Sequence, residues 1–440
     1  MNGSTQTAIQ RCRYLIVGGG TWGLAIAYNL AKRGYAGIKV LDGQDFPPSI
    51  AAGNDLNKIM EEPEELPSDN DEDDVTHAWR VIESTATNVW KTDPIYQPHY
   101  HPTGFIYAAA EKAGYEKVRE SVKAHPENWT ELSNAQAFHQ TMPNGVLTGD
   151  FSGWKGFLRK RNAGWVAARE TMKDLHAECI KLGVDFQTNI TGRVTELLCS
   201  DKRTDIIGAR TADGTAHHAD RIILSAEASS DLLLDFQKQL RPTAWTLAHL
   251  PLTPEEAMIY KNLPVLYCVD RGFFIEPDAA SHEIKLCDEH PGYINLIKTD
   301  QRERSVPFAK EQIPIEASQR MRTFLHETMP HLADRRFTYA RICWDADTPN
   351  RLFLIGQHPE YESLTVAVGG SGHGFMCSPA VGVIVADLLE GTLDERLKRT
   401  LGWRPATAVG RDWWDTQGRF GADGRVMGLE GSEGWTGFGD

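Results

Sequence analysis

The sequence lacks two features that would tie it to a membrane or to a nucleic acid. None of its apolar runs reaches the roughly 18 residues that a transmembrane helix needs. Positive charge is also scarce, because 46 lysines and arginines stand against 60 aspartates and glutamates and leave a net charge of −14. Nucleic acids and anionic membranes both require a basic surface. We therefore expect neither as a partner.

Signals for disulfides, metal binding and secretion are missing as well. The seven cysteines, an odd number, show neither a disulfide framework nor a Cys-x-x-Cys pair. The histidines show no metal-ligand spacing, so no metal site is expected. Residues 1–13 are polar, and the terminal Gly-Phe-Gly-Asp is not a peroxisomal address. These absences predict a reducing, intracellular location, most simply the cytoplasm.

Several common catalytic motifs are also absent, namely His-Glu-x-x-His, Gly-x-Ser-x-Gly and Gly-x-x-x-x-Gly-Lys-Ser/Thr. The chain is otherwise of ordinary globular composition, with 41% hydrophobic and 24% charged residues. Its length predicts about two or three domains. Much of the negative charge lies in residues 61–74, which we expect to form an exposed, mobile loop. If that loop borders a site, it favours cationic substrates.

The N-terminal part of the chain predicts a strand, a glycine-rich loop, a helix and a second strand. The strands are Tyr14–Val17 and Ile38–Leu41, and the helix covers 21–33. Asp42 ends the second strand, where a carboxylate can accept hydrogen bonds from ribose hydroxyls. A β-α-β unit of this size is typical of a dinucleotide-binding half-domain.

The loop of this unit, Gly-Gly-Gly-Thr-Trp-Gly, fits the pattern G-x-G-x-x-G. Gly18 allows a tight turn, Gly20 lets the backbone approach a pyrophosphate, and Gly23 lets helix and strand pack closely. The helix N-terminus then presents its N–H groups to the phosphates. We therefore predict a dinucleotide site formed by Gly18, Gly20, Thr21, Trp22, Gly23 and Asp42. The motif alone leaves NAD and FAD open.

A second strand–glycine loop–helix unit near the C-terminus favours FAD. The strand at 364–368 enters Gly-Gly-Ser-Gly-His-Gly-Phe and then an apolar helix. A helix N-terminus here can stabilise the negative charge of a reduced flavin ring. The residues expected at the cofactor are Gly370, Gly372, His373, Gly374, Phe375 and Met376. A purely structural turn is the alternative.

Signals of the nucleotide-binding kind recur along the chain and are separated by β-rich stretches of another character. Residues 163–182 read as a helix, 221–226 as a buried strand, and 352–355 with 364–368 as late strands. This alternation predicts two domains that are built from interleaved segments.

Several stretches together resemble the fungal fructosyl amino acid oxidases, or amadoriases, within the wider sarcosine oxidase-like family of FAD oxidases. They are residues 15–23, 52–59, 149–156, 240–247, 272–278, 284–293 and 341–349. The resemblance runs from Tyr14 to about Gly428 and is closest to the type that favours ε-fructosyl-lysine. It implies an α/β fold, in which a glutathione-reductase-like FAD-binding domain is interleaved with a mixed-sheet α+β substrate domain. The FAD-binding segments would be 1–90, 155–240 and 335–402, the substrate segments 91–154 and 241–334, and 403–440 an extension that contributes to the substrate site.

The resemblance also implies roles for particular residues. Cys343 would hold the flavin covalently through a thioether, although by residue type alone it reads as a core cysteine. Lys285 would activate oxygen, since an ammonium stabilises the anion formed when O₂ takes up an electron. Asn57 and Lys58 would contact the flavin and the substrate. Glu289 would bind the substrate, and Arg419 would pair with its carboxylate, for which a guanidinium is well shaped.

Three positions depart from the family pattern. Met376 stands where some members have a lysine that would help to hold the substrate. Asp345 stands where others have a second cysteine, and Glu227 where a glycine is usual. The last of these lies close to the expected cofactor.

The expected function is oxidation of fructosyl-lysine or fructosyl-valine type Amadori compounds by a monomeric enzyme. The secondary amine would be oxidised to an imine that hydrolyses to glucosone and a free amino acid, while O₂ is reduced to H₂O₂. Three alternatives stay open: an oxidase of another secondary amine such as sarcosine or an imino acid, a redox-inactive flavin-binding protein, and an NAD-dependent dehydrogenase.

Overall fold

The computed structural model describes residues 11–64, 72–202, 204–298, 303–419 and 424–437. Residues 65–71 of the predicted acidic loop lie outside the described residues. The helices are, in chain order, α1 Thr21–Lys32, α2 Asp74–Thr92, α3 Lys112–Ser121, α4 Ala135–His139, α5 Ala168–Lys181, α6 Pro254–Ile259, α7 Ile315–Thr328, α8 Ser378–Glu390 and α9 Glu395–Leu401.

The strands are shorter and more numerous than the helices. They are β1 Tyr14–Val17, β2 Ile38–Leu41, β3 Lys58–Glu61, β4 Tyr100–His101, β5 Phe105–Ala109, β6 Thr130–Leu132, β7 Lys155–Arg159, β8 Ala163–Val166, β9 Asp185–Gln187, β10 Val194–Cys199, β11 Ile206–Thr211, β12 Ala216–His218, β13 Arg221–Leu224, β14 Arg241–Pro251, β15 Val265–Cys268, β16 Gly272–Ile275, β17 Glu283–Asp288, β18 Tyr293–Ile294, β19 Leu296–Lys298, β20 Glu303–Ser305, β21 Tyr339–Asp347, β22 Leu354–Gln357, β23 Leu364–Val368 and β24 Met427–Gly428.

A six-stranded sheet forms the first layer, in the order β22-β23-β13-β1-β2-β9. Its strands pair in parallel except for β22, which lies antiparallel at one edge. Every residue of β1 is buried, because one face of the sheet packs on α1 and α8 and the other on a second apolar cluster. Burial on both faces explains why this strand reads as a continuous apolar run. The predicted strand–loop–helix–strand unit at 14–42 is confirmed.

A ten-stranded mixed sheet forms the second layer. Its main path is β24-β18-β14-β17-β16-β15-β5-β7-β6, with β21 paired to β14. One of its faces packs on α7 through a large apolar core that includes Phe274, Leu286 and Phe324. The strands of the two layers alternate along the chain. The predicted α/β fold with a mixed-sheet second part is therefore confirmed, while the residue boundaries of the domains stay predictions.

Two local predictions are wrong. Residues 163–166 are a strand and not the start of a helix, because they pair with β3 along their whole length and α5 begins only at Ala168. The ends of the acidic stretch are ordered and not part of a mobile loop. Glu61 ends β3, Glu72 forms an ion pair with Arg80, and Asp73 caps α2 through its side chain.

Candidate active site

A cavity of about 920 Å³ lies where the two layers meet. Its walls include the residues that follow the carboxyl ends of β1, β2 and β13, which is where parallel sheets of this kind place their ligands. One face of the ten-stranded sheet supplies much of the rest. The cavity therefore brings together the glycine-rich loop and the residues assigned to a substrate site.

The backbone of the first glycine-rich loop is too crowded for side chains at two positions. Gly18 has φ +102°, and a Cβ there would lie 2.5 Å from the carbonyl oxygen of Ser225. A Cβ at Gly23 would overlap the carbonyl oxygen of Gly18. A Cβ at Gly20 meets only Ala51, at 3.7 Å, so this residue faces open space. The backbone is thus crowded at Gly18 and Gly23 and open at Gly20, and binding of a pyrophosphate there stays a prediction.

The start of α1 keeps its N–H groups available. Gly20 caps the helix, and no side chain accepts a hydrogen bond there. Asp42 accepts hydrogen bonds from the backbone N–H groups of Gly19 (2.8 Å) and Gln44 (3.0 Å), while burial raises the pKa of its carboxyl. Thr21 and Trp22 line the cavity, and the Trp22 indole donates to the carbonyl oxygen of Gly374 at 2.7 Å. Trp22 thus ties the two glycine-rich loops together.

The second glycine-rich loop lines the cavity with Gly370, Gly372, His373, Gly374, Phe375 and Met376. Burial, with the neighbouring guanidinium groups of Arg351 and Arg419, lowers the pKa of His373 to about 3, so its ring is neutral. The Met376 carbonyl accepts a hydrogen bond from the Trp90 indole at 2.7 Å. Two N–H groups of the segment that precedes His373 already bind a side chain, since Gly369 and Gly370 both donate to Glu227.

Cysteine and aromatic side chains of the ten-stranded sheet line the cavity, because alternate residues of a strand point to the same face of the sheet. Cys343 on β21 is paired with Trp245 on β14, and Cys287 on β17 is paired with Phe273 on β16. All four residues line the cavity. Burial raises the pKa of Cys287 to about 12. Two thiols therefore face the cavity, of which the sequence singled out only Cys343.

Two lysines share one buried carboxylate. The Asp55 Oδ2 atom lies 2.7 Å from Lys285 Nζ and 2.9 Å from Lys58 Nζ. The side chains of Asp55 and Lys285 are 0% and 1% exposed. Burial disfavours the ionised carboxyl, but Lys285, Lys58 and Arg341 together hold the pKa of Asp55 well below its usual value. Burial likewise opposes charge on Lys58, and Asp55 outweighs it and raises the pKa of this lysine.

The backbone around Asn57 completes this cluster. Lys285 Nζ donates to the Asn57 carbonyl oxygen at 2.9 Å, and the Asn57 amide donates to the Glu276 carbonyl oxygen at 3.2 Å. The Asn57 Oδ1 atom is buried and accepts no hydrogen bond from the described residues. Asn57, Lys58 and Lys285 are thus brought together as the sequence analysis expects, whereas Asp55, which organises them, was missed.

A cationic wall lies at the other end of the cavity. Arg419 binds Asp347 through two hydrogen bonds of 2.7 Å and donates to the Ser371 carbonyl oxygen. Arg351, which was not predicted, also lines the cavity and donates to Ser371. Its Nε atom is buried and has no partner among the described residues. Much of the donor capacity of Arg419 is therefore taken by Asp347, which also binds Arg241, while Arg351 keeps donors free.

Acidic and phenolic groups form a third wall. Burial raises the pKa of Glu289 to about 8 and that of Glu61 to about 7. Tyr267 and Tyr107 line the cavity together with these two carboxyls. Neutral carboxyls and phenols can donate as well as accept hydrogen bonds, so this wall suits a polyhydroxylated ligand. Tyr267 and Tyr107 were missed because neither lies in a recognisable motif.

Two kinds of feature are absent from the described residues. No group of three or more histidine, cysteine, aspartate or glutamate side chains there is placed to hold a metal ion. No helix in the same residues is long and apolar enough to cross a bilayer.

Comparison with known proteins identifies the chemistry of the cavity. The model of the FAD dependent oxidoreductase family matches residues 13–388. The crystal structure of fructosyl amine:oxygen oxidoreductase (Amadoriase I) from Aspergillus fumigatus superposes with a TM-score of 0.93 and 50% identity, over 98% of both chains. Amadoriase II from the same organism, in complex with FSA, gives a TM-score of 0.93 and 43% identity over 97% of this chain and 98% of its own.

A relative with another substrate in its name is more distant. L-saccharopine oxidase of Schizosaccharomyces pombe is 29% identical over 414 residues, which are 89% of this chain and 92% of that protein. The family model covers most of the chain, and two amadoriase structures match nearly all of it. The chain therefore belongs to the FAD dependent oxidoreductases and, among them, to the amadoriases.

Proposed function

We propose that this protein is an FAD-dependent oxidase of Amadori compounds, which converts fructosyl amino acids to glucosone, a free amino acid and H₂O₂. The observation that supports this most is the 50% identity to Amadoriase I across nearly the whole chain. The cavity adds support, because it is lined by the lysine pair Lys58 and Lys285, by Arg351 and Arg419, and by carboxyl and phenol groups that can bind sugar hydroxyls. The preference for an ε-fructosyl-lysine over an α-fructosyl amino acid is part of the proposal.

The cavity residues fit FAD on several counts. The glycine loop leads into a helix whose N-terminal N–H groups bind no capping side chain, and Gly20 presents no side chain to a pyrophosphate. Ser225 and His373 line the cavity with buried polar atoms, Oγ and Nδ1, that have no partner among the described residues. Gly18, Gly20, Asp42 and the loop from Gly370 to Met376 would hold the cofactor. When bound, FAD supplies the oxidation of the C–N bond and the transfer of electrons to oxygen.

The protein side chains position the substrate and control charge. Glu289 is held neutral by burial at neutral pH, so its carboxyl can donate a hydrogen bond to a sugar oxygen. Lys58 can donate to substrate oxygens from its place beside Asp55. The Lys285 ammonium, buried and fixed by Asp55 and the Asn57 carbonyl, stabilises the negative charge that develops on O₂ as it is reduced.

Peroxide release from defined substrates tests the proposed reaction. The purified protein is assayed for H₂O₂ with ε-fructosyl-lysine, fructosyl-valine, sarcosine and L-saccharopine. We expect turnover of the fructosyl compounds, with the lysine derivative preferred, and little of the other two. Turnover of sarcosine or saccharopine alone would replace the proposal with the secondary-amine alternative. Protein that is yellow but is bleached anaerobically by none of them would indicate a redox-inactive flavoprotein.

Covalent attachment of FAD through Cys343 is a further part of the proposal. After acid denaturation, the yellow colour of the wild-type protein should stay with the pellet, and that of Cys343→Ala should pass to the supernatant. Cys287→Ala is the matched control, because this thiol lines the same cavity and also lies near Lys58. Colour that follows Cys287, or that is released from the wild type, contradicts the assignment.

A monomeric state and a cytoplasmic location complete the proposal. No disulfide joins the cysteines of the described residues, which suits a reducing compartment. Light scattering of the purified protein tests the first expectation and cell fractionation the second. A dimer mass, or recovery with sealed organelles, would contradict them.

A further inference from the structure

A pair of carboxyl groups at the cavity wall has no place in the proposed reaction. Glu227 follows β13, and Asp345 stands two residues after Cys343 on the same face of β21. Both line the cavity. A Cβ built on Gly370 would lie 3.0 Å from Asp345 Oδ1 and 3.2 Å from Glu227 Oε1, so the two oxygens converge on one point. The backbone N–H of Ala346 donates to both carboxyls, to Asp345 Oδ1 at 2.9 Å and to Glu227 Oε1 at 3.2 Å.

The pair fastens the second glycine-rich loop to β21. Glu227 accepts hydrogen bonds from the backbone N–H groups of Gly370 (2.7 Å), Gly369 (3.1 Å) and Ala346 (3.2 Å). Asp345 accepts from Ala346 at 2.9 Å and from Gly372. Glu227 and Asp345 thus accept hydrogen bonds from the backbone of residues 369–372, a segment that is expected to contact the flavin.

The backbone at Glu227 is in an unfavourable conformation for any residue with a side chain. Its φ is +45°, in the left-handed region where glycine is at ease and other residues are strained. Such strain persists where the surroundings over-determine the conformation. The three backbone hydrogen bonds to the Glu227 carboxyl supply that constraint, so the loop and the glutamate stabilise each other's conformation.

A contact between two carboxyls requires a proton between them. Two carboxylates that share a buried site cannot both be ionised, so one of them retains a proton. Burial, together with repulsion from Asp345, raises the pKa of Glu227 well above its usual value. The other charged or titratable groups facing the pair are Asp347, Arg351, Arg419 and His373. Asp347 is paired with two arginines, His373 is neutral, and neither Arg351 nor Arg419 donates to the pair in the described residues.

We propose that Glu227 is a positioning residue which, through one proton shared with Asp345, fixes loop 369–372 as a wall of the FAD cavity. Loss of that proton places two negative charges in contact and frees the loop. The inference concerns the cofactor cavity and does not depend on which amine is the substrate, so the substrate assays above can fail without affecting it.

The test is a pH titration of the visible absorption spectrum of the FAD-loaded protein without substrate, from about pH 6 to about pH 10. In the wild type we expect a spectral step because movement of the loop changes the surroundings of the bound cofactor, alongside the titration of Glu289, whose pKa of about 8 lies in the same range. Glu227→Gln should lose the step, since an amide does not titrate in this range. Asp345→Asn should behave in the same way and serves as the second variant.

Glu289→Gln is the matched control, because Glu289 is another cavity carboxyl whose pKa burial raises. It should retain the wild-type step. A wild-type spectrum that does not change with pH would overturn the proposal. So would a step that persists in Glu227→Gln and Asp345→Asn, or one that disappears only in Glu289→Gln.

Discussion

Asp55 is the group on which the lysine cluster depends, and its replacement by asparagine gives the sharpest test of the site. The change keeps the shape of the side chain and removes its charge. It leaves Lys285, with a side chain 1% exposed, without its carboxylate partner at 2.7 Å, and it deprives Lys58 of its partner at 2.9 Å. Breaking a buried pair by removing one partner costs about 3–5 kcal/mol, because a charge is left uncompensated.

We therefore expect Asp55→Asn to lower the apparent free energy of unfolding by about 3–5 kcal/mol. The Lys285 hydrogen bond to the Asn57 carbonyl oxygen survives in the variant, which favours the lower end of this range. The measurement is denaturant unfolding followed by intrinsic fluorescence. Asp185→Asn is the matched control, because Asp185 pairs with Lys39 at 3.0 Å on the surface and an exposed pair of this kind contributes little.

A double-mutant cycle separates the ion pair from other effects of the substitution. Lys285→Met also breaks the pair, but the double variant with Asp55→Asn and Lys285→Met has no charge left at either position. The combined loss should be smaller than the sum of the single losses by about 0.5–3 kcal/mol. Additive losses, or an Asp55→Asn variant as stable as the Asp185 control, would refute the reasoning.

The pH dependence of this effect has a definite sign. The pKa of Asp55 is held well below its usual value in the folded protein. A carboxyl of this kind contributes stability that is present above its unfolded pKa of about 3.9 and is lost as the pH falls through the folded value. The difference between wild type and Asp55→Asn should thus be constant at neutral pH and shrink only in acid.

Three further predictions concern the cavity and the glycine-rich loop beside it. Arg351→Met should raise KM for fructosyl amino acids about 10- to 100-fold, which corresponds to the loss of one charge-assisted hydrogen bond to the substrate carboxylate. The KM for a fructosyl alkylamine, which has no carboxylate, should not change. An equal loss for both substrates would contradict a carboxylate-binding role for Arg351. Burial raises the pKa of Glu289 to about 8 in the folded protein, against about 4.3 in the unfolded chain. The free energy of unfolding should therefore fall as the pH rises between these two values, and Glu289→Gln should make this fall smaller. Gly23→Ala should abolish FAD uptake or folding, because its Cβ would overlap the Gly18 carbonyl oxygen; a yellow, stable variant would show that the turn is less rigid than described.

The elements that the sequence predicts well are those whose cause is local. The strand at 14–17, the glycine loop and α1 depend on neighbouring residues, so their pattern is visible in a short stretch of chain. The strand at 163–166 was missed for the opposite reason. Its partner is β3, about a hundred residues away. That pairing keeps residues 163–166 extended, although the helical pattern of the segment that follows them runs back into these residues. Distant pairing cannot be seen in a window of sequence.

The same limit applies to the site. Lys285 is 228 positions from Asn57 in the chain, and Asp347 is 72 positions from Arg419. No local feature marks Asp55 as the partner of two lysines, or Arg351 as a cation with free donors. Glu61 was misread because it begins an acidic run, and composition favours exposure for such runs. Its position at the end of β3 places it at the cavity instead.

Cys343 shows where residue chemistry stops being informative. The sequence alone would have left it in the core, and the structure does place it among buried residues, but on the sheet face that lines the cavity. Cys287 lines the same cavity and, like Cys343, lies near Lys58, so access to the cavity does not distinguish the two thiols. Strand register does distinguish them, because Cys343 faces Trp245 on β14 and Cys287 faces Phe273 on β16. The two sulfurs therefore occupy different parts of one wall, and a flavin bound in a single orientation can be tethered by only one of them. A release experiment with both alanine variants reads out that orientation as well as the bond.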